Sequence, residues 1–201
     1  VLTALPAGVG LSVLAEPILL LLYPAVPDTA RAAAYHLTFL GLACVFVCLM
    51  VATNGVLQAY GHPLVPVLAL LCGGVLKVVT NYLMVGDPAT GIRGAAVSTL
   101  YCYALIVLID LIAIARLVPE RPGYIRLFAR PVLVTAVMAL AARSGYGLFC
   151  RVLPERWAVL PAIAVAAAVY VILALATGAV TRTDVVTLPK GEKIADFLHL
   201  R

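Results

Sequence analysis

Charged residues are scarce in this sequence. They make up 11% of the 201 residues, against 64% that are hydrophobic, whereas a soluble domain is about one-quarter charged. This composition excludes a water-soluble globular fold, which has too little interior to bury so much apolar surface. The formal net charge is +5, but the basic residues are spread over the connections between apolar segments, so the sequence does not indicate a nucleic-acid-binding surface.

Motifs for catalysis and cofactor binding are also missing. The sequence has no GxxxxGK[ST], HExxH or GxSxG motif, which argues against ATP-driven transport and hydrolytic chemistry. The five cysteines form no CxxC pair, and no histidine lies at metal-ligand spacing. A membrane enzyme acting on prenyl phosphates would need clustered carboxylates, and the nine acidic residues include no DxxD pair. We therefore predict no catalytic residues, no metal site and no cofactor.

Long apolar stretches are present instead. Six of them are near the length of about 20 residues that a transmembrane helix needs, at positions 1–23, 32–57, 64–85, 92–116, 127–149 and 157–180. They lack the two-residue alternation of a membrane β-barrel. The predicted fold is all-α, a polytopic bundle of six transmembrane helices. Because the chain begins without methionine or a basic flank, we interpret it as the C-terminal portion of a longer protein.

The distribution of arginine and lysine predicts the orientation. The connection after the fourth segment and the tail after the sixth fall on one side of the membrane, and both are rich in basic residues: Arg116, Arg121, Arg126, Arg130, Arg182, Lys190, Lys193 and Arg201. The positive-inside rule makes that side cytoplasmic. The bias is modest, since the opposite side carries Arg31, Arg93, Arg143, Arg151 and Arg156.

Three charged residues lie inside the apolar segments: Glu16, Lys77 and Asp110. A charge at the centre of a membrane helix costs about 2.5–3.5 kcal/mol on insertion scales, so each is a candidate functional residue. In the predicted topology, Glu16 and Lys77 lie at similar depth and are candidate partners. Asp110 lies nearer the cytoplasmic side and is a poor partner for Lys77. The alternatives are a lysine that extends to the interface and a carboxyl that stays protonated.

Further polar residues surround Lys77 and end the second segment. Helical spacing places small and polar side chains on one stripe of the third segment, which should face protein or water: Gly73, Gly74, Lys77, Thr80, Asn81 and Met84. Asn54 and Gln58 lie one turn apart and are more typical of a clamp between helices than of a ligand site. The candidate substrate-binding residues are Lys77, Asn81, Glu16, Asn54, Gln58 and Asp110.

Helix breakers and small residues make local predictions. Pro17 removes a backbone donor, so the first segment should be kinked there. Gly61 and Pro63 should end the second segment. The fourth segment carries Gly94, Ser98 and Cys102 at four-residue spacing, which predicts close packing against another helix. The fifth and sixth segments have almost no polar residues at mid-depth and should form a peripheral, lipid-facing hairpin.

Several strings resemble a known family. They are LPAGVGLSVLAEPILLLLYP, VLQAYGHPLVPV, GGVLKVVTNYLMVG, GIRGAAVSTLYCYALI and LPKGEKIADFLHLR. Together they are similar to the C-terminal half of polysaccharide biosynthesis flippases of the stage V sporulation protein B type, in the multidrug, oligosaccharidyl-lipid and polysaccharide exporter (MATE-like) superfamily. The resemblance implies a fourteen-helix fold with two lobes around a central cavity. On that basis, 1–117 is four helices of the second lobe, 118–180 an appended hairpin and 181–201 a cytoplasmic tail.

The resemblance also implies a function. Such proteins flip lipid-linked oligosaccharide, polysaccharide or peptidoglycan precursors across the bacterial cytoplasmic membrane by alternating access, in cell-envelope synthesis or sporulation. The expected partners are the lipid bilayer, a lipid-linked saccharide and a missing N-terminal lobe or second copy. Two alternatives stay open, a cation-coupled multidrug exporter that depends on Glu16 and Asp110, and a truncated remnant without transport.

Overall fold

The chain was analysed as a computed structural model that describes residues 3–87, 90–118 and 124–177, without the side chains of 124–128 and 155. These residues are helical or in short connections. The helices are α1 (Ala4–Val13), α2 (Ala15–Leu22), α3 (Pro27–Ala59), α4 (Leu64–Val85), α5 (Arg93–Leu117), α6 (Tyr124–Phe149) and α7 (Glu155–Ala176). The predicted all-α class is confirmed. The predicted tail 181–201 lies outside the described residues.

Five of these helices are long and apolar enough to cross a membrane, and α1 with α2 makes a sixth candidate if the bent pair is one span. The protein is therefore a polytopic helical membrane protein. The helix α3 has 33 residues, which at 1.5 Å per residue is about 50 Å and exceeds the roughly 30 Å hydrocarbon core. It begins at Pro27, five residues before the predicted segment, because proline is favoured in the first turn of a helix.

The first span is broken as Pro17 predicts. The axes of α1 and α2 differ by 72°, and the break falls at Leu14, whose φ of −102° and ψ of 19° are not helical. Proline lacks the N–H that would bond to the carbonyl four residues earlier, here Val13, and its ring crowds that carbonyl. The break therefore lies one turn before the proline.

The helices are arranged in a row. In the described residues α4 packs on α5, α5 on α3, and α3 on the bent pair α1 and α2, while α3 and α4 barely touch each other. The hairpin of α6 and α7 packs on α1 and α2 and on no other described helix. As a result, α4 forms one end of the row and exposes most of its surface.

Glycines set the crossing of α1 and α3. A Cβ atom added at Gly8 would lie 2.6 Å from the Gly41 carbonyl oxygen, and one added at Gly41 would lie 2.8 Å from the Gly8 oxygen. The Ser12 hydroxyl, also at the crossing, donates to the Thr38 carbonyl at 2.8 Å. Small residues allow such close backbone approach in membrane helices, where packing and interhelical hydrogen bonds drive association.

The predicted small-residue face of α5 is confirmed. Gly94, Ser98 and Cys102 are all buried. A Cβ atom at Gly94 would meet Met84 of α4 at 2.5 Å, and Ser98 donates a long hydrogen bond to the Asn81 side chain at 3.4 Å. This face therefore packs against α4.

The end of α3 also follows the sequence. The helix ends at Ala59, and Gly61 has a positive φ of 79°, a conformation that glycine adopts without the steric cost of a side chain. The chain then turns back at Pro63, which precedes the first residue of α4.

Candidate functional site: intramembrane polar residues and an apolar groove

Lys77 lies half-buried in the middle of α4. It lies one turn after Gly73, which packs against Ile106 and the Cys102 carbonyl of α5. Within the described residues its ammonium group has no hydrogen-bond or ion-pair partner. An ammonium group without a counter-ion in an apolar helix is costly unless it reaches water or an anion.

The polar stripe of α4 is divided by its packing. Gly73 is buried against Ile106 and Thr80 donates to its own backbone at Leu76. At one flank of this packed face, Gly74, Lys77 and Asn81 follow one another at helical spacing, with Gly74 exposed and the other two half-buried. We name these three residues the polar flank of α4. The far side of the helix is apolar.

Glu16 does not meet Lys77. The Glu16 Oε1 atom lies 3.6 Å from Nε of Arg31 on α3, and both side chains are about half exposed, at 54% and 50%. In the described residues α2 contacts α1, α3 and α7 but not α4. The suggested Glu16–Lys77 pair is therefore wrong, and an exposed ion pair such as Glu16–Arg31 contributes about 1 kcal/mol or less.

Asp110 is fully buried between α3 and α5, with 0% of its surface exposed. Its Oδ2 atom accepts a hydrogen bond of 2.8 Å from the Thr53 hydroxyl. Its Oδ1 atom is buried and has no partner among the described residues. Asp110 is eight residues from Cys102 on α5, or about 12 Å along the axis, so it is separate from the polar flank, as its depth predicted.

Asn54 and Gln58 lie near the end of α3, away from Lys77. Asn54 is half-buried, and its Oδ1 atom is buried without a partner in the described part of the chain. The Gln58 residue is exposed. The six candidate site residues are therefore dispersed: Lys77 and Asn81 lie on α4, Asp110 is hydrogen-bonded to Thr53 of α3, Asn54 and Gln58 lie near the end of α3, and Glu16 pairs with Arg31.

An apolar groove of about 440 Å³ lies between the bent pair and the hairpin. Its wall includes Leu14 and Ile18 from the bent pair, Met138 from α6, and Ile163, Ala167 and Tyr170 from α7. The volume is within the range of about 300–1,000 Å³ typical of ligand sites. This groove suits a hydrocarbon chain.

Sequence reasoning did not find the groove or the Thr53–Asp110 pair. The groove walls come from residues as far apart as Leu14 and Tyr170, and their apolar side chains do not differ in type from those that face lipid. Thr53 is 57 residues from Asp110, and its position on the helix opposite a carboxyl depends on which helices are neighbours. For the Thr53–Asp110 pair, the signal available in the sequence was a threonine within an apolar segment.

Comparison with known proteins finds one informative relative. The chain is 26% identical over 204 aligned positions to a protein described as uncharacterized membrane protein YabM of Bacillus subtilis (strain 168). The alignment covers 97% of this chain and 36% of YabM, so the chain spans about a third of the length of that relative. No protein-family model matches the chain. No solved structure matches it.

Proposed function

We propose that this chain forms part of a flippase that moves lipid-linked oligosaccharide, polysaccharide or peptidoglycan precursors across a bacterial cytoplasmic membrane, with its C-terminus in the cytoplasm. The observation that carries the proposal is Lys77, a half-buried cation in the middle of a membrane helix that has no counter-ion among the described residues. A polar flank that carries an ammonium group suits an anionic head group such as a diphosphate. Charge attraction is strong where water is excluded.

The position of α4 supports the same function. It forms one end of the row, and Gly74 of its polar flank is exposed. In the two-lobed arrangement that the resemblance implies, a second lobe or a second copy would lie across a cavity from these helices. The polar flank would then line the cavity, and rocking of the two lobes would open it to alternate sides.

The apolar groove is suited to the lipid part of such a substrate. A lipid-linked saccharide must keep its isoprenoid chain in an apolar environment while its head group crosses. The groove beside the hairpin offers that environment within the membrane-spanning part of the protein. The head group of the substrate is therefore assigned to the polar flank of α4, and its isoprenoid chain is assigned to the groove.

The test is flipping by the native polypeptide in reconstituted vesicles. A fluorescent lipid-linked saccharide diphosphate should become accessible to a membrane-impermeant quencher faster than in protein-free vesicles, because the protein lowers the barrier to moving the head group. Export of a cationic dye coupled to an ion gradient, without lipid flipping, would favour the multidrug exporter instead. Absence of both activities in folded protein would favour the remnant without transport.

A substitution in the groove should weaken binding of the lipid chain. Ala167→Phe places a ring in the groove and should exclude two or three methylene groups, each worth about 0.8 kcal/mol, so affinity for a fluorescent polyprenyl phosphate should fall roughly 15- to 60-fold. Ala168→Phe is the matched control, because Ala168 is exposed and does not line the groove. Equal affinities for the two variants would contradict the assignment.

A further inference from the structure

Buried apolar clusters lie on both sides of Asp110 along α5. One turn before it on α5, Ile106 belongs to a buried cluster with Ala69 and Cys102. One turn after it, Ile114 belongs to a second buried cluster with Leu57 and Val118. The carboxyl group therefore lies between two apolar layers, within the spans that cross the membrane.

No other titratable group lies at the level of Asp110 on the helices that pack around it. The contacts with α5 place Met50–Leu57 of α3, which runs parallel to α5, and Leu64–Leu71 of α4, which runs antiparallel to it, at this level. The surrounding part of α5 is Ile106–Ile114. Apart from Asp110, these three stretches contain no acidic, basic, histidine, cysteine or tyrosine residue. On α4, Lys77 lies one turn beyond Gly73, which packs against the Cys102 carbonyl, about 12 Å farther along α5 than Asp110.

The two carboxyl oxygens differ in their partners. Oδ2 accepts from the Thr53 hydroxyl at 2.8 Å, and Oδ1 is buried without a partner among the described residues. A carboxylate in this position would leave a full charge with one hydrogen bond, which is strongly unfavourable in an apolar interior. A neutral carboxylic acid, with the proton on Oδ1, removes the charge and keeps the bond from Thr53.

We propose that Asp110 is a proton-binding site between α3 and α5, occupied in this conformation and released when the two helices separate enough for water to reach Oδ1. The proton binds to Oδ1 and leaves to water, so no other reactant is needed. A metal cation fits less well, because metal ions of the hard type take about six oxygen ligands and the described residues contain no group of three His, Cys, Asp or Glu side chains that could hold one.

This site would supply the coupling ion of the transporter. In a rocking mechanism, the conformation with α3 and α5 packed holds the proton, and the conformation with the two helices separated releases it. Because the two conformations differ in proton affinity, linkage makes transport respond to the proton gradient. This consequence rests on the proposed function. The occupancy of Asp110 by a proton does not, and it can be measured on the purified protein without any substrate.

The experiment is infrared spectroscopy of the full chain in lipid nanodiscs at neutral pH. A carbonyl band of a protonated carboxyl group, shifted by exchange into D₂O, should be present in the wild type and absent in Asp110→Asn. In Thr53→Val the band should persist at a higher frequency, because the hydrogen bond to Oδ2 is lost. Asp28→Asn is the control, since the Asp28 side chain is 99% exposed, and it should leave the band unchanged.

Three results would overturn the inference. Absence of the band from the wild type would mean that Asp110 is ionised. A band that survives in Asp110→Asn would belong to another carboxyl group. A band that disappears when sodium is added at constant pH would assign the site to a metal cation instead of a proton. If the wild-type protein shows the band but does not flip lipid, the result counts against the proposed function and not against the proton site.

Discussion

Lys77→Ala should lower the rate of lipid flipping roughly 10- to 100-fold. The substitution removes the ammonium group that the proposed mechanism assigns to the diphosphate of the substrate. Hydrogen bonds to charged groups contribute about 1.5–3 kcal/mol, which corresponds to that range of rates. The measurement is flipping of a fluorescent lipid-linked saccharide diphosphate by the native polypeptide in vesicles.

Two matched variants test whether the loss of flipping activity comes from the loss of the positive charge at position 77. Lys77→Arg retains the positive charge and should keep most of the activity, since a head group that needs charge alone accepts either side chain. Glu16→Gln should have little effect, because Glu16 pairs with Arg31 at the half-exposed ends of α2 and α3. The opposite pattern, with Glu16→Gln inactive and Lys77→Ala active, would contradict an anion site and favour a cation-coupled exporter.

Gly41→Ala should lower the free energy of unfolding by about 1–3 kcal/mol, the usual cost of overpacking a tight interface. The added Cβ would lie 2.5 Å from the Ser12 hydroxyl oxygen and 2.8 Å from the Gly8 carbonyl oxygen. A backbone carbonyl cannot rotate away as a side chain does, so α1 and α3 must move apart. The separation of the two helices should also weaken the Ser12–Thr38 hydrogen bond at the same crossing.

The control is the same substitution elsewhere on the same helix. A Cβ added at Gly55 would meet nothing within 4 Å, and alanine exceeds glycine in helix propensity by about 0.8–1.0 kcal/mol. Gly55→Ala should therefore be neutral or slightly stabilising. Both variants are compared by thermal unfolding in detergent, followed by circular dichroism. Equal midpoints for Gly41→Ala and the wild type would show that the α1–α3 crossing is looser than described.

Local features of the fold were predictable from the sequence because they depend on neighbouring residues. Pro17 predicts a break in the first span, and Gly61 with Pro63 predicts the end of α3. The glycine and small polar residues at positions 94, 98 and 102 predict a packed face of α5. Each of these signals acts within one or two turns of helix, through a missing N–H, a positive φ or a small side chain.

The relations between helices were not predictable in the same way. The predicted topology puts Glu16 and Lys77 at similar depth, but it does not say that α5 and α3 lie between their helices. The partner of Glu16 proved to be Arg31, which the sequence places at the start of α3. Likewise, the pairing of Asp110 with Thr53 depends on the rotation of two helices about their axes, which hydropathy does not fix. The division of the chain into a lobe, a hairpin and a tail stays a prediction.

The central claim is that the polar flank of α4 faces a water-filled cavity in the membrane. It is tested most directly with Lys77→Cys in a background where Cys44, Cys48, Cys72, Cys102 and Cys150 are replaced by alanine. In intact membranes this cysteine should react with a water-soluble thiol reagent. Val79→Cys, on the opposite side of the same helix and exposed on its apolar surface, should not react. Reaction at position 77 alone is the predicted result, and complete protection of position 77 in every conformational state would contradict the account.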